Sequence, residues 1–186
     1  MLEKVYKQID INKIEANENQ TRKVFDDEKI EDNENIKLLM KISTLCNDAD
    51  LTREDDQYKI IGDPTEGAML TLSEKWGIVQ EDLEEKHPRI EEIPFDSDRK
   101  MMTTFHNIEE NYRSMTKGAP DIIISNSSKI LLNGEIVDFT EDLKKKAMDE
   151  NKNLAKQALR VMAYAFREFD SIKNEELTSE NIEREM

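Results

Sequence analysis

Cysteine and histidine are scarce in this chain of 186 residues. The single cysteine, Cys46, excludes an intramolecular disulfide framework and fits a reducing compartment. With only His87 and His106 beside it, a zinc site built from cysteine and histidine ligands cannot be assembled. The sequence therefore predicts no metal site of the protein's own.

Long apolar runs and positive charge are lacking as well. The longest unbroken apolar run, Val161 to Phe166, is far shorter than the roughly 20 residues that span a bilayer, and no signal-peptide segment follows Met1. Lys and Arg number 27 against 42 Asp and Glu, so the net charge is −15. Binding to nucleic acid or an anionic membrane needs a surplus of cations. We therefore expect a soluble chain that binds no nucleic acid.

Glycine is rare, and its spacing excludes several phosphate-binding loops. The five glycines contain no G-x-G-x-x-G pattern, which removes the dinucleotide fingerprint and the kinase loop. Gly62 and Gly67 have P-loop spacing, but Ala68 and Met69 follow where that loop needs Lys and Ser or Thr. No G-x-S-x-G motif occurs either. These absences argue against a self-contained ATP-using transferase, and we predict no catalytic residue.

Local signals predict both helices and strands. Asp63 is suited to cap a helix, Pro64 to occupy its first position and Glu66 to close a capping box. Gly77 is suited to end this helix. Asn133-Gly134 lies between two short apolar segments and predicts a β-hairpin.

The remaining patterns complete an α+β fold. They predict strands at 89–95, 99–106, 112–117 and 160–167, and a helix from Thr140 to about Ala158. The first three strands form an antiparallel meander, and the fourth is apolar on both faces and therefore central. Residues 15–34 carry eight Asp and Glu and predict a mobile acidic loop. Without an internal repeat or linker, we predict one domain over residues 1–186.

Four cations stand out in so acidic a chain. Arg99 and Lys100 follow Phe95 across a turn, Lys117 ends a predicted strand, and Arg160 begins the central one. If these strands pair, the cations converge around one aromatic ring, which could hold a purine and its phosphates. Alternatives remain open for each residue alone. Phe95 could be a core aromatic, and both lysines could be solvated strand residues.

Six ordered blocks of sequence carry a family resemblance. They are CNDA at 46–49, GDPTEGAML at 62–70, PFDSDRKMMTTFH at 94–106, KGAPD at 117–121, ILLNGEIVDFTED at 130–142 and NKNLAKQALRVMAYAFREF at 151–169. Together they resemble the nucleotide-binding domain of P-type cation pumps, nearest to the calcium-transporting branch and its bacterial relatives. The resemblance implies a twisted antiparallel β-sheet flanked by helices.

The resemblance also implies what such a domain does. It would hold the adenosine of MgATP, with Mg²⁺ carried by the nucleotide, and deliver the terminal phosphate to an aspartate in a DKTGT motif. That motif belongs to the phosphorylation domain and occurs nowhere in this sequence. The chain then resembles an excised, monomeric part of a larger ion-translocating ATPase at the cytoplasmic face of a membrane, and would not turn over ATP alone. Its partners would be the phosphorylation and actuator domains of the parent, which meets the membrane through helices absent here.

By resemblance, five residues surround the adenosine. Phe95 would stack on adenine, Lys117 would lie beside the ring, and Gly118 would let the backbone come close. Glu66 would accept a hydrogen bond from the adenine amino group, with Thr65 nearby. From the residues alone, Glu66 has a sufficient structural role in the capping box, so the two roles compete.

The remaining candidates belong to the phosphates and to the floor of the pocket. By resemblance, Lys100 and Arg160 would face the phosphates, and Arg99 is a second-rank candidate. Met102 and Met162 would line the floor, although both could equally be core residues.

A hypothesis of a different class is a non-enzymatic acidic interaction module without nucleotide binding. The net charge of −15 motivates it, because such a surface would recruit a basic partner.

Overall fold

The computed structural model of the protein describes residues 4–7, 34–54, 57–108, 111–132, 134–170, 177–184 and 186. Of the predicted acidic loop at 15–34, residues 15–33 lie outside the described residues, and Glu34 begins a helix. Among the described residues, no helix is long and apolar enough to cross a membrane.

The described residues form nine strands and six helices. The strands are β1 (Lys4–Lys7), β2 (Asp50–Glu54), β3 (Gln57–Ile61), β4 (Arg89–Asp96), β5 (Met101–Ile108), β6 (Asn111–Gly118), β7 (Lys129–Leu132), β8 (Glu135–Asp138) and β9 (Ala163–Phe169). The helices are α1 (Glu34–Leu45), α2 (Pro64–Lys75), α3 (Gln80–Lys86), α4 (Pro120–Ser125), α5 (Glu141–Lys156) and α6 (Ser179–Ile182).

Seven of the strands form one sheet in the order β4-β5-β6-β9-β1-β7-β8, and β2 and β3 form a separate hairpin. Neighbouring strands are antiparallel except β1 and β7, which pair in parallel. The predicted α+β fold, with an antiparallel sheet flanked by helices, is confirmed, and the central position of β9 with it. The meander β4-β5-β6 and the hairpin β7-β8 are also present.

Successive residues of a strand point to opposite faces of the sheet, and each face has its own core. Met102, Met115 and Tyr164 pack with α1 and with Cys46, which is fully buried. Met101 packs on the opposite face, in a cluster that α4, α5 and Met186 share. The sheet is therefore covered by α1 and α3 on one face, and by α4, α5 and the end of the chain on the other.

The predicted start of the central strand at Arg160 is wrong. Helix α5 closes with Ala158 in the left-handed region (φ 57°) and with the Leu159 N–H donating to the Leu154 carbonyl at 3.1 Å. This closing pattern satisfies the last carbonyls of the helix, and residues 159–162 are then needed to reach the sheet. Arg160 consequently lies in a loop, and β9 begins at Ala163.

The helix caps are placed largely as the sequence indicates. Asp63 Oδ1 accepts from the N–H groups of Thr65 (2.8 Å) and Glu66 (3.3 Å), and these bonds, with that of Thr65 foremost, lower the pKa of Asp63. Thr140 Oγ1 accepts from the Leu143 N–H at 3.4 Å at the start of α5. The predicted capping box is not formed, however, because the Glu66 carboxylate has other partners.

His106 is a neutral histidine built into the core, with 1% of its surface exposed. Its Nδ1–H donates to the carbonyl oxygen of His87 at 2.9 Å, and its Nε2 accepts from the Thr104 hydroxyl at 2.9 Å. Burial lowers the pKa of His106 from 6.5 to about 4. A proton that the unfolded chain binds at pH 5 is therefore not bound by the folded one.

We predict that His106 makes the fold less stable in acid. As pH falls from 6.5 to about 4, the unfolded state gains a proton on His106 that the folded state refuses, so the free energy of unfolding decreases by about 3 kcal/mol. The measurement is urea unfolding of wild type and His106→Gln across this range. The difference between the two free energies should change with pH. The half-buried His87 is the control, since His87→Gln should change the pH dependence less. Parallel curves for wild type and His106→Gln would contradict the prediction.

Candidate functional site

The register of the sheet brings the ends of four strands together. Asp96 of β4 pairs with Met101 of β5, Met102 pairs with Lys117 of β6, and Gly118 pairs with Ala163 of β9. The ends of β4 and β6 and the starts of β5 and β9 therefore share one end of the sheet, called the site end below. Six of the predicted site residues lie on or beside it: Phe95, Lys100, Met102, Lys117, Gly118 and Met162.

Phe95 offers an aromatic ring to solvent at the site end. It lies next to the last residue of β4 and is 61% exposed, the largest exposure among the exposed large apolar side chains of the described residues. The alternative that Phe95 is a core aromatic is therefore wrong. Burial of apolar surface favours folding, but the fold leaves most of this ring in contact with solvent. The ring is therefore accessible for stacking on a flat ligand.

The turn between β4 and β5 has a well-bonded backbone. Asp96 Oδ1 accepts from the N–H groups of Arg99 (2.8 Å) and Asp98 (2.9 Å), and these bonds, Arg99 first, lower the pKa of Asp96. Lys100 has a left-handed φ of 56°, and its N–H donates to the Asp96 carbonyl at 2.7 Å. This turn holds Arg99 and Lys100, which the sequence had placed in a strand, and Lys100 is exposed.

Lys117 and Glu66 form a buried ion pair at the site end. Lys117 is 4% exposed, and its Nζ donates to Glu66 Oε1, while Glu66 Oε2 accepts from the Asp48 N–H at 2.9 Å. Burial of an ammonium is costly unless a carboxylate neutralises it, which explains why Glu66 leaves the capping box. Lys117 is therefore not the solvated strand residue that the sequence also allowed. Thr65, next to Glu66, is half-buried.

The packing of the strands requires glycine at position 118, a structural role that the resemblance did not imply. A Cβ at this position would lie 2.6 Å from the Lys100 carbonyl oxygen and 2.8 Å from Met101 Cγ. Only a glycine lets β5 and β6 approach this closely, and the Ala119 N–H then donates to the same Lys100 carbonyl at 3.1 Å. The glycine thus fixes the turn that carries Lys100.

Arg160 and the two methionines differ in what they expose. Arg160 is exposed in the loop before β9, and its charge helps to lower the pKa of Asp63, after the larger effect of the Thr65 N–H. Arg160 is therefore close enough to the start of α2 to act on the Asp63 carboxylate. Met162 is half-buried against the core cluster, and Met102 is fully buried within it, so Met102 is the core residue that the sequence also allowed.

Two residues next to the ion pair received no role from the sequence. Asp48 donates its N–H to Glu66, as described, and Asn47 Nδ2 donates to the Glu66 carbonyl at 3.2 Å and to the Ser43 carbonyl at 3.1 Å. Both residues belong to the CNDA block. Their place in that block was the only indication in the sequence that they contribute to the site, and no contact had been assigned to the block. Within the described residues, no group of three or more His, Cys, Asp and Glu side chains is placed to hold a metal ion.

Comparison with known proteins identifies the family. A family model described as P-type ATPase, cytoplasmic domain N, matches residues 35–186. The chain belongs to this family. The resemblance seen in the six sequence blocks is thereby confirmed, and the chain is called the N domain below.

Relatives of the N domain are cation-transporting ATPases. Calcium-transporting ATPase 1 of Lactococcus lactis is 40% identical over 146 residues, which cover 78% of this chain and 16% of that protein. Calcium-transporting ATPase 1 of Bacillus cereus is 42% identical over 73% of this chain and 15% of its own length. The sodium/potassium-transporting ATPase subunit alpha-4 of Rattus norvegicus is 30% identical over 69% of this chain and 13% of its own. The chain therefore spans a small part of the relatives it matches.

We predict that the Lys117–Glu66 pair is costly to break from one side. Glu66→Gln leaves a buried ammonium without a charged partner and should lower the free energy of unfolding by about 3 kcal/mol. The double variant Glu66→Gln/Lys117→Met should recover part of this loss, because no unpaired charge remains. Urea unfolding of the single and double variants measures both effects.

The control for this prediction is Lys152→Met. Lys152 pairs with Asp149 at 3.6 Å on the surface of α5, where both side chains are more than half exposed. An exposed pair contributes less than about 1 kcal/mol, so this variant should differ little from wild type. If Glu66→Gln were as stable as Lys152→Met, the buried pair would not have the role assigned to it.

Proposed function

We propose that the N domain binds the adenosine of MgATP at the site end and delivers the terminal phosphate to an aspartate of a separate domain. The observation that carries this proposal is the 61% exposed Phe95 ring at the same end of the sheet as the buried Lys117–Glu66 pair. An open aromatic face beside a fixed donor and a fixed acceptor suits a purine, which is flat, apolar on two faces and polar at its edge.

The adenine half of the site uses stacking and edge contacts. Stacking on an aromatic side chain contributes about 1–3 kcal/mol per base. The Glu66 carboxylate can accept from an amino group and the Lys117 ammonium can donate to a ring nitrogen, since each retains hydrogen-bonding capacity beyond the pair. Thr65 lies next to Glu66 at the start of α2, and Met162 supplies half-buried apolar surface before β9.

The phosphate half of the site uses two exposed cations. Lys100 lies in the turn after Phe95, and Arg160 lies in the loop before β9. A guanidinium forks to two phosphate oxygens and stays charged at any working pH, and an ammonium acts as a point charge. Mg²⁺ would arrive with the nucleotide, because phosphate oxygens are ligands that suit this cation.

The chemistry of such a domain is delivery. Phosphoryl transfer depends mainly on positioning and on stabilising charge, so a domain that holds the nucleotide needs no base of its own. The chain lacks a DKTGT sequence and matches 16% or less of the three relatives named above. We infer that its partners are the phosphorylation and actuator domains of one pump at the cytoplasmic face of a membrane. The calcium-transporting ATPases among its relatives favour calcium as the cation.

We predict that the chain binds ATP weakly through Phe95 and does not hydrolyse it. A domain that holds the phosphates without its partner should bind with a Kd on the order of millimolar, about 4 kcal/mol. Phe95→Ala should weaken binding by about tenfold, because it removes the stacking contact. The measurement is an ATP titration followed by backbone amide NMR, with phosphate release assayed on the same samples.

The control is Ile90→Ala. Ile90 is a 43% exposed apolar residue near the opposite end of β4, so its removal should leave ATP affinity unchanged. Saturable shifts near Glu66, Phe95 and Lys117, lost in Phe95→Ala only, would support the site. A folded chain without any ATP-dependent shift would overturn the proposed function and favour an acidic interaction module. Steady hydrolysis that Phe95→Ala does not change would overturn the delivery role.

A further inference from the structure

The C-terminal segment, here residues 177–184 and 186, is anchored to the sheet by a buried carboxylate. The Glu183 side chain is 2% exposed, and its Oε1 accepts from the Thr103 hydroxyl at 2.8 Å. Thr103 in turn accepts from the Thr116 hydroxyl at 2.9 Å, because its own proton is used on Glu183. Glu183 Oε2 forms an ion pair with Nη1 of Arg99.

Other contacts hold the same segment in place. Arg167 Nη1 donates to the carbonyls of Asn181 (2.9 Å) and Ile182 (3.2 Å). The Met186 N–H donates to the Asn126 carbonyl at 2.9 Å, and the Met186 carbonyl accepts from the Ser128 N–H at 2.7 Å. Ile182 and Met186 are buried. The segment is therefore part of the fold, and Glu183 is the carboxylate through which it reaches the turn between β4 and β5.

Arg99 joins that turn to the segment with one guanidinium. Its Nη2 donates to the Pro94 carbonyl at 2.6 Å, immediately before Phe95, while Nη1 pairs with Glu183. Its backbone N–H donates to Asp96 Oδ1 at 2.8 Å. The side chain thus ties the strand before Phe95 and the turn before Lys100 to a buried anchor outside the site.

Glu183 lies on the opposite face of the sheet from the Lys117–Glu66 pair. It contacts Thr103, whereas Met102, the preceding residue, pairs across the sheet with Lys117. Because adjacent strand residues point to opposite faces, a ligand seated beside Lys117 does not reach Glu183. The contact that links Glu183 to the turn beside Phe95 and Lys100 is its ion pair with Arg99.

We propose that Arg99 is a positioning residue that couples the C-terminal segment to nucleotide binding. It holds the Phe95–Lys100 turn in the binding shape by pairing with Glu183, and its guanidinium is not used on phosphate. This inference rests on the proposed function. A turn fixed before the ligand arrives loses less conformational entropy on binding, so affinity depends on the anchor. By reciprocity, bound nucleotide stabilises the docked segment.

The experiment compares ATP affinity of the full chain in wild type, Arg99→Gln, Glu183→Gln and the double variant. If Arg99 positions the turn, either single change weakens ATP binding by at least about fivefold, and the double variant is no weaker than the singles. Arg99→Lys, which keeps the charge but not the fork, should fall between wild type and Arg99→Gln. If Arg99 instead bound phosphate directly, Glu183→Gln would leave affinity unchanged or raise it, and this result would overturn the proposal.

A second measurement separates positioning from loss of structure. Hydrogen exchange at the amides of Ile182, Glu183 and Met186 should slow when ATP saturates the wild-type chain. This slowing should be smaller in Arg99→Lys and lost in Glu183→Gln. These milder variants keep the test decisive if Arg99→Gln does not fold. Exchange at the segment that ATP leaves unchanged in the wild type would overturn the coupling.

The control is Arg113→Gln, which breaks the Arg113–Glu168 ion pair between β6 and β9. It removes the same chemistry away from the turn and should leave ATP affinity unchanged. An equal loss in this variant would show that any broken Arg–Glu pair weakens binding, and would overturn the specific role of Arg99. A wild-type chain that does not bind ATP would overturn the proposed function itself. A wild type that binds, with Glu183→Gln unaffected, would overturn the coupling alone.

Discussion

The register of the three strands β5, β6 and β9 is the constraint on which the site end depends. It sets Met102, Lys117 and Tyr164 side by side, so an ammonium is carried into a surface otherwise packed with apolar side chains. Such a charge is tolerated only beside a carboxylate, and Glu66 supplies it from the first turn of α2. The use of Glu66 outside its own helix follows from this pairing.

The same strands contact the C-terminal segment on the opposite face of the sheet through their alternate residues. Thr103 follows Met102 and Thr116 precedes Lys117, so both hydroxyls face the other side of the sheet. There the Thr116 hydroxyl donates to Thr103, and the Thr103 hydroxyl donates to Glu183. The polar contacts on the two faces are thus one residue apart along each strand. The turn between β4 and β5 is connected to both sets of contacts. The Lys100 carbonyl accepts from the N–H of Ala119, the residue after β6, and the Arg99 guanidinium pairs with Glu183.

Local signals in the sequence were sufficient to predict most helices and strands. They were insufficient to predict which distant side chains contact one another. Asp63, Thr140 and the strands of the meander were predicted because caps and periodicity act over a few residues. The capping box failed because Glu66 pairs with a lysine 51 residues away. Arg160 was placed in a strand because a left-handed residue at Ala158, which is not glycine, gives no signal that the helix closes there.

The resemblance named candidate site residues, but it did not indicate how accessible each of them is. The order of the six blocks named Phe95 and Met102 alike, but only packing separates an open ring from a fully buried thioether. Arg99 shows the limit most clearly. Its partner Glu183 is 84 residues away and belongs to no block, so the pair emerges only when the end of the chain packs on the sheet.

In the proposed site, the distribution of paired charge favours contacts with the adenosine over contacts with the phosphates. Of its cations, Arg89, Arg99 and Lys117 are held by carboxylates, whereas Lys100 and Arg160 form no ion pair within the described residues. Two exposed cations in a chain of net charge −15 attract a phosphate tail weakly, since solvent and salt screen them. Stacking on the aromatic ring is not screened in this way, so we expect the contacts of the base to contribute most of the affinity. The phosphates would then extend toward another domain, which would supply positive charge in addition to that of the Mg²⁺ carried with the nucleotide.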